Sequence, residues 1–208
     1  MVRKVLIEQI SRLVHNGFPS DDTDVTDELI NLYISQGLAL AAKNNYKEAI
    51  QLEGIGFINN SFYSTYKGIA ITADEDNLWT LNLPLVPIAV GRNEGISRLI
   101  FKNSKNNLSY DAIPLSTNQI GFTRSMRGIP NKVLYYVEGG TAKVITALIM
   151  TDYTASVTLI SGGDATNLDS QLNVPDDALP VIIDYAMKLL VAELNMKQDS
   201  VNDGTNKP

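Results

Sequence analysis

Near Ile50 the chain changes texture, and that change restricts the possible folds more than any other feature. Before it, apolar residues recur at helical spacing. After it, glycine, asparagine and proline become frequent, and short apolar runs replace the helical period. Helical spacing returns only after Val174-Pro175. Segregated elements of this kind predict an α+β class. An N-terminal helix pair and a C-terminal helix pack together, with a β-rich lobe inserted between them. The expected division takes 1–48 and 172–200 as one helical domain, 49–171 as the inserted lobe and 201–208 as a polar tail. Of the 208 residues 44% are hydrophobic, so a core needs no covalent staples. There is no cysteine, which removes disulfides, zinc–thiolate sites and cysteine nucleophiles.

Residues 2–15 read as an amphipathic helix with Val2, Val5, Leu6, Ile10, Leu13 and Val14 on its core face. His15 lies in the last turn, where a cation suits the helix dipole, and Asn16-Gly17 supplies a stop. Pro19 then breaks the chain. Asp24 is placed to cap a second helix, with Asp27 and Glu28 in its first turn. That helix is expected from Val25 to Asn44, burying Val25, Leu29, Leu32 and Leu40, with Gly37 permitting a close helix approach.

In the middle of the chain, LWTLNLPLVPIAV carries two prolines, which suggests edge or entry positions around short strands. GRNEG reads as a turn joining PIAV to ISRLIF. The clearest hairpin is KVLYYVEGGTAKVITAL, turning at Glu138-Gly139-Gly140, and ASVTLI adds a further strand. The last helix is punctuated by Pro175, Asp176, Asp177 and Pro180. Asp177, Asp184, Lys188 and Asn195 form a narrow polar stripe, and Asp184 and Lys188 stand at a favourable i,i+4 spacing. The remainder is apolar. Such a helix is covered by its own fold or by another subunit.

The net charge of −6 and the scattered basic residues argue against gripping nucleic acid, where phosphate neutralisation supplies most of the affinity. Arg92, Arg98 and Lys102 come nearest to a basic cluster, and Glu94 offsets them. Glu8, Gln9, Ser11 and Arg12 interrupt any signal-peptide core, and no apolar run is long enough for a membrane helix, so neither is expected.

Reactive constellations are equally sparse. His15 is the one histidine, and no Gly-x-Ser-x-Gly elbow or phosphate-binding glycine loop occurs. The cluster Asp21, Asp22, Asp24, Asp27 and Glu28, read as a calcium loop from Asp22, lacks the sixth-position glycine and twelfth-position glutamate. In DSVNDG, Asp199, Asp203 and Gly204 fit positions one, five and six, but Val201 at position three has no side-chain oxygen. No metal or cofactor is expected, and no enzyme.

The two ends carry a family likeness. VRKVLIEQISRLVHNGFPSDDTDVTDELINLYISQGLALAAKNNY gives a helix, a Gly-Phe-Pro-Ser-Asp-Asp break and a second helix. LNVPDDALPVIIDYAMKLLVAELNMKQDSVNDG gives a Val-Pro-Asp-Asp start, a helix and a polar tail. Together with the central LWTLNLPLVPIAVGRNEGISRLIFKN, they resemble the head-to-tail connector (adaptor or ring) proteins of short-tailed bacteriophages, closest to virion structural proteins of crAss-like phages. The resemblance implies a non-enzymatic virion protein of the tail connector, assembled in the host bacterial cytoplasm. It implies a homo-oligomeric ring, dodecameric to match the portal, that binds the portal and neighbouring tail or ring proteins. The ring extends the channel through which genomic DNA is retained and ejected, without sequence-specific contact. Val181, Tyr185, Leu189 and Leu194 are then candidate subunit contacts, and Asp199, Asn202 and Asp203 candidate portal contacts.

Two other classes compete. A tail appendage recognising glycan or a receptor would use Tyr63, Tyr66, Trp79, Tyr110, Tyr135 and Tyr136 as stacking faces, although such residues also serve as core or cross-strand pairs. A hydrolase with dispersed carboxylates would need two acids facing one cleft, which no spacing here singles out.

Overall fold

A computed structural model describes residues 1–15, 25–74, 78–90, 95–116, 119–120 and 132–202, with residues 195–202 described by backbone alone. The described residues form an α+β protein with three α-helices and a mixed sheet of eight strands. The chain divides into two compact units, Met1–Phe62 with Gly162–Pro208, and Tyr63–Ser161. These boundaries differ from 48/49 and 171/172 because the second helix and the segment after residue 161 both belong to the helical unit.

The helical unit contains α1 (Arg3–Val14), α2 (Asp27–Glu53) and α3 (Leu179–Asn202), each touching the other two. Thr26 caps α2, its hydroxyl accepting the Leu29 amide at 3.3 Å. The cap is therefore Thr26 and not Asp24, which lies outside the described residues with Asp21 and Asp22. Asp27 and Glu28 occupy the first turn as expected. The helix runs past Asn44 to Glu53 and stops where Gly54 turns left-handed, at φ 70°, and donates to the Ile50 carbonyl.

The buried stripe of α2 is Ile30, Ile34, Gly37, Leu38, Ala41, Ala42 and Ala49. This replaces the leucine face read from the sequence, since Leu32 is 52% exposed. The small residues explain the choice. A face of glycine and alanine lets backbones approach closely, whereas Leu32 points to the opposite side. At Gly37 an added Cβ would lie 3.2 Å from the Ile182 carbonyl oxygen and 3.3 Å from its Cα. α3 runs antiparallel to α2, since Tyr33 of α2 donates to the Glu193 carboxylate near the other end of the contact, at 2.6 Å. That bond holds the Tyr33 phenol protonated and pushes its pKa up. Gly37→Leu is expected to force the helices apart and lower stability by about 1–3 kcal/mol. Gly37→Ala should change little, because its gain in helix propensity offsets the tight contact. Urea unfolding followed at 222 nm distinguishes the two, and a leucine variant as stable as the parent would contradict the packing.

α1 buries Arg3, Leu6, Ile7 and Ile10. Val5 and Leu13, expected inside, are each 50% exposed. No side chain caps the start of α1. Instead, the Arg3 and Lys4 amides donate to the carbonyls of Ser170 and Leu168 at 3.0 and 2.8 Å, and Leu172 donates back to Met1 at 2.9 Å. The segment following Gly162 thus supplies the acceptors a new helix lacks. Arg3 ties the same segment to α2. Its guanidinium donates to Asn31 Oδ1, to Ser35 Oγ at 3.0 Å and to the Gly162 carbonyl at 3.1 Å. Burial lowers the Arg3 pKa, and the nearby Asp164 carboxylate opposes that shift.

The second unit contains β1 (Tyr63–Ala70), β2 (Thr72–Ala73), β3 (Trp79–Asn82), β4 (Ile96–Asn103), β5 (Ser109–Pro114), β6 (Val133–Glu138), β7 (Thr141–Ile145) and β8 (Tyr153–Ile160). Their order across the sheet is β1-β8-β4-β5-β6-β7-β3-β2. Only β5 and β6 pair in parallel. The two outermost strands, β1 and β2, are separated in the chain by Ile71 alone. A sheet whose two edges are joined by one residue must curl round on itself, so this one wraps into a barrel. β1 accordingly also touches β3. Side chains alternate along the strands, and Leu81, Leu99, Phe101, Val133, Tyr135, Val144, Val157 and Leu159 fill the interior.

The hairpin at Glu138 is present, Glu138 pairing with Thr141 across Gly139-Gly140, with Gly139 at φ 62°. The strand expected over PIAV is not formed. Residues 87–90 are irregular, although the Ile88 amide reaches the Ile160 carbonyl at 2.9 Å. Pro84 and Pro87 remove the donors a ladder there would need. Residues 91–94 of the expected GRNEG turn lie outside the described residues.

Candidate interaction surface

α3 explains most of its apolar character within its own unit. Ile182, Ala186 and Leu190 recur every four residues and are fully buried. Tyr185, Leu189 and Leu194, three of the four expected subunit contacts, are half-buried. Val181 is exposed at 41%, and so is Val191 at 47%. Between them stand Asp184 and Lys188, paired at 2.6 Å as their spacing predicts. The outward face of α3 is therefore mixed, with two valines around one ion pair.

The helix continues in backbone to Asn202, past the expected end at residue 200, which puts Asp199 and Asn202 on its last turn. The side chains of Asp199 and Asn202 and the whole of Asp203 lie outside the described residues.

A more exposed apolar group was not legible in the sequence, because the reading ended α2 at Asn44. At the true end of that helix, Ile50, Leu52, Ile55 and Phe57 are 44%, 85%, 69% and 47% exposed. The signal was present as apolar residues around Gly54 and Gly56. Four large apolar side chains exposed within eight residues make a dense run, whereas scattered single ones are ordinary.

Hollows among the described residues include two in the separate units. One, of about 140 Å³, lies in the helical unit between Asn44, Asn45 and Glu48 of α2 and Asp177, Ala178 and Val181. The other, of about 510 Å³, is open on the barrel surface beside Lys67, Lys102, Asn107, Ser109 and Ser156. In the second hollow Lys102 stands across the ladder from Ser109. His15 closes α1 through its backbone amide, which donates to Ser11. Among the described residues no group of three or more histidine, aspartate or glutamate side chains is placed to hold a metal ion. No described helix is long and apolar enough to cross a membrane.

The six aromatics proposed for glycan stacking are all withdrawn from the surface to some degree. Tyr135 lies in the barrel core, and Tyr66, Trp79 and Tyr110 pack against it. Tyr110 is also tilted against Tyr153, with ring centroids 6.1 Å apart. Tyr63 and Tyr136 are half-buried. Of the basic trio, Arg98 is paired with Asp111 at 2.9 Å, Lys102 lines the barrel hollow, and Arg92 lies outside the described residues. A scan against protein-family models finds no match to this chain, and a search of curated proteins finds no significant match.

Proposed function

We propose that the protein is a ring-forming structural subunit of a phage head-to-tail connector, seated below the portal and surrounding the path of the genome. The observation that carries this reading is the surface of the helical unit. Leu52, Ile55, Phe57, Val181 and Val191 all remain substantially exposed on it. Large apolar residues left exposed on a folded unit suit a contact with another macromolecule. The likeness of both chain ends to connector proteins gives the kind of assembly. An acidic chain, at −6, suits a wall past which DNA slides without sticking. The half-buried aromatics lend the glycan reading little support.

The direct test is composition. Purified virions should contain this chain in the same copy number as the portal protein, measured by quantitative mass spectrometry. Its absence from virions would overturn the assignment. A monomer in free solution is compatible with it, because a portal can template ring closure.

A further inference from the structure

We propose that the hollow on the outer face of the barrel binds the phosphate monoester of a small polyhydroxylated molecule. Four neighbouring strands build it, in the order β1-β8-β4-β5. Ala155, Val157 and Phe101 point into the core, so Thr154 and Ser156 of β8 and Lys102 of β4 face outward. Thr154 pairs with Lys102, and Ser156 with Ile100, across the β8–β4 ladder. On the other side of β8 a bulge sets Lys67 and Gly68 opposite Ser156. β8 thus runs between the two lysines and carries the hydroxyls of Thr154 and Ser156. Gly68, at φ 72°, leaves its own position bare, and a Cβ added there would meet nothing within 4 Å. Asn107 and Ser109 line the β5 side.

Charge decides the ligand. Lys67 and Lys102 make no ion pair among the described residues. Two carboxylates flank the hollow, and each is held by another cation. Asp111, opposite Ile100, accepts from Arg98 at 2.9 and 3.0 Å. Asp152, two residues before Thr154, is bound by Lys105 at 2.8 Å. Both pairs are neutral, so the hollow keeps the charge of its two lysines in a chain of net charge −6. A carboxylate or a phosphodiester would neutralise only one of them. A phosphate monoester carries about −1.5 to −2 at neutral pH and three acceptor oxygens, enough for both ammonium groups and a hydroxyl. The hollow, at about 510 Å³, exceeds what phosphate alone fills and falls in the range of small-molecule sites, about 300–1,000 Å³. Asn107, Ser109 and Thr154 can each donate and accept, and their side chains bond to no other group among the described residues. They suit the hydroxyls of the molecule that carries the phosphate. The site lies within the barrel unit and does not depend on the connector reading.

Isothermal titration calorimetry of the full chain at low salt tests the assignment, with glucose 6-phosphate as the probe. Saturable binding at one site per chain is expected. Glucose should be silent, and glucuronate and inorganic phosphate should each bind roughly fivefold weaker or worse. Lys67→Ala and Lys102→Ala should each weaken glucose 6-phosphate by about threefold to tenfold. Ser156→Asp should abolish binding, and Lys47→Ala, in the helical unit, should leave it unchanged. Trp79 fluorescence unfolding at the parent's denaturant concentration confirms that each variant is folded. No binding by the parent would overturn the proposal. Glucuronate bound as tightly as glucose 6-phosphate would do the same, because charge would then not select the ester. Inorganic phosphate bound as tightly would make the hollow a site for a free anion and overturn the ester. Full affinity in both lysine variants would place the ligand elsewhere, and an equal loss in Lys47→Ala would reduce the binding to general attraction.

Discussion

Phe101→Ala is expected to destabilise the barrel by about 3–5 kcal/mol, the range for truncating a buried phenylalanine. Phe101 is fully buried in β4. Its neighbours across the ladders are Ala155 of β8 and Tyr110 of β5. Ala155 opposite leaves room for the ring, and truncation opens a void that the surrounding core fills only in part. The readout is already in place, since Trp79 is the only tryptophan and packs against the same core. Denaturant unfolding followed by its fluorescence should shift to markedly lower concentration. Phe101→Leu, which keeps most of the volume, should recover more than half of the loss. An alanine variant unfolding with the parent would mean that Phe101 is not in the core.

Arg3→Ala is the corresponding experiment on the helical unit, with an expected loss of about 2–4 kcal/mol. The substitution removes three hydrogen bonds and leaves the Gly162 carbonyl without its guanidinium donor. A buried cation also carries a desolvation cost, visible in the lowered pKa of Arg3, and removing the charge returns that part. The lost bonds and the cavity outweigh the return, because Arg3 joins three separate segments at one point. Arg3→Met restores packing without the hydrogen bonds and should fall between alanine and the parent. The transition at 222 nm reports the effect, since the helices lie in this unit. A methionine variant more stable than the parent would show that desolvation dominates.

The segregation of helices and strands was legible because hydrophobic period changes once near Ile50 and again near Val174. Turn chemistry was equally plain at Gly139-Gly140, where two glycines join β-branched runs. The reading failed where packing overrode hydrophobicity. In α2 the buried face joins Ile30, Ile34 and Leu38 to Gly37, Ala41 and Ala42, small residues that carry little hydrophobic signal, and Leu32 is left outside. In α1 an arginine took a core position because acceptors from α2 and from Gly162 surround it, which local sequence does not reveal. Strands β1 and β5 went unnamed, since Lys67, Gly68 and Asp111 weaken their alternation. Barrel closure depends on which strands pair, and no local pattern encodes that.

The surface followed the same logic. Val181, a candidate subunit contact, is 41% exposed. Tyr185, Leu189 and Leu194 are half-buried because α1 and α2 share the cover of α3. Leu52, 85% exposed, stands beyond the expected end of α2 at Asn44.

Electron microscopy of the cognate portal after mixing with this protein tests the central claim most directly. The account predicts an added layer on the tail-side face of the portal, with the portal's rotational symmetry and one copy of this chain per portal subunit. Portal particles that remain bare at every protein concentration tried would contradict it.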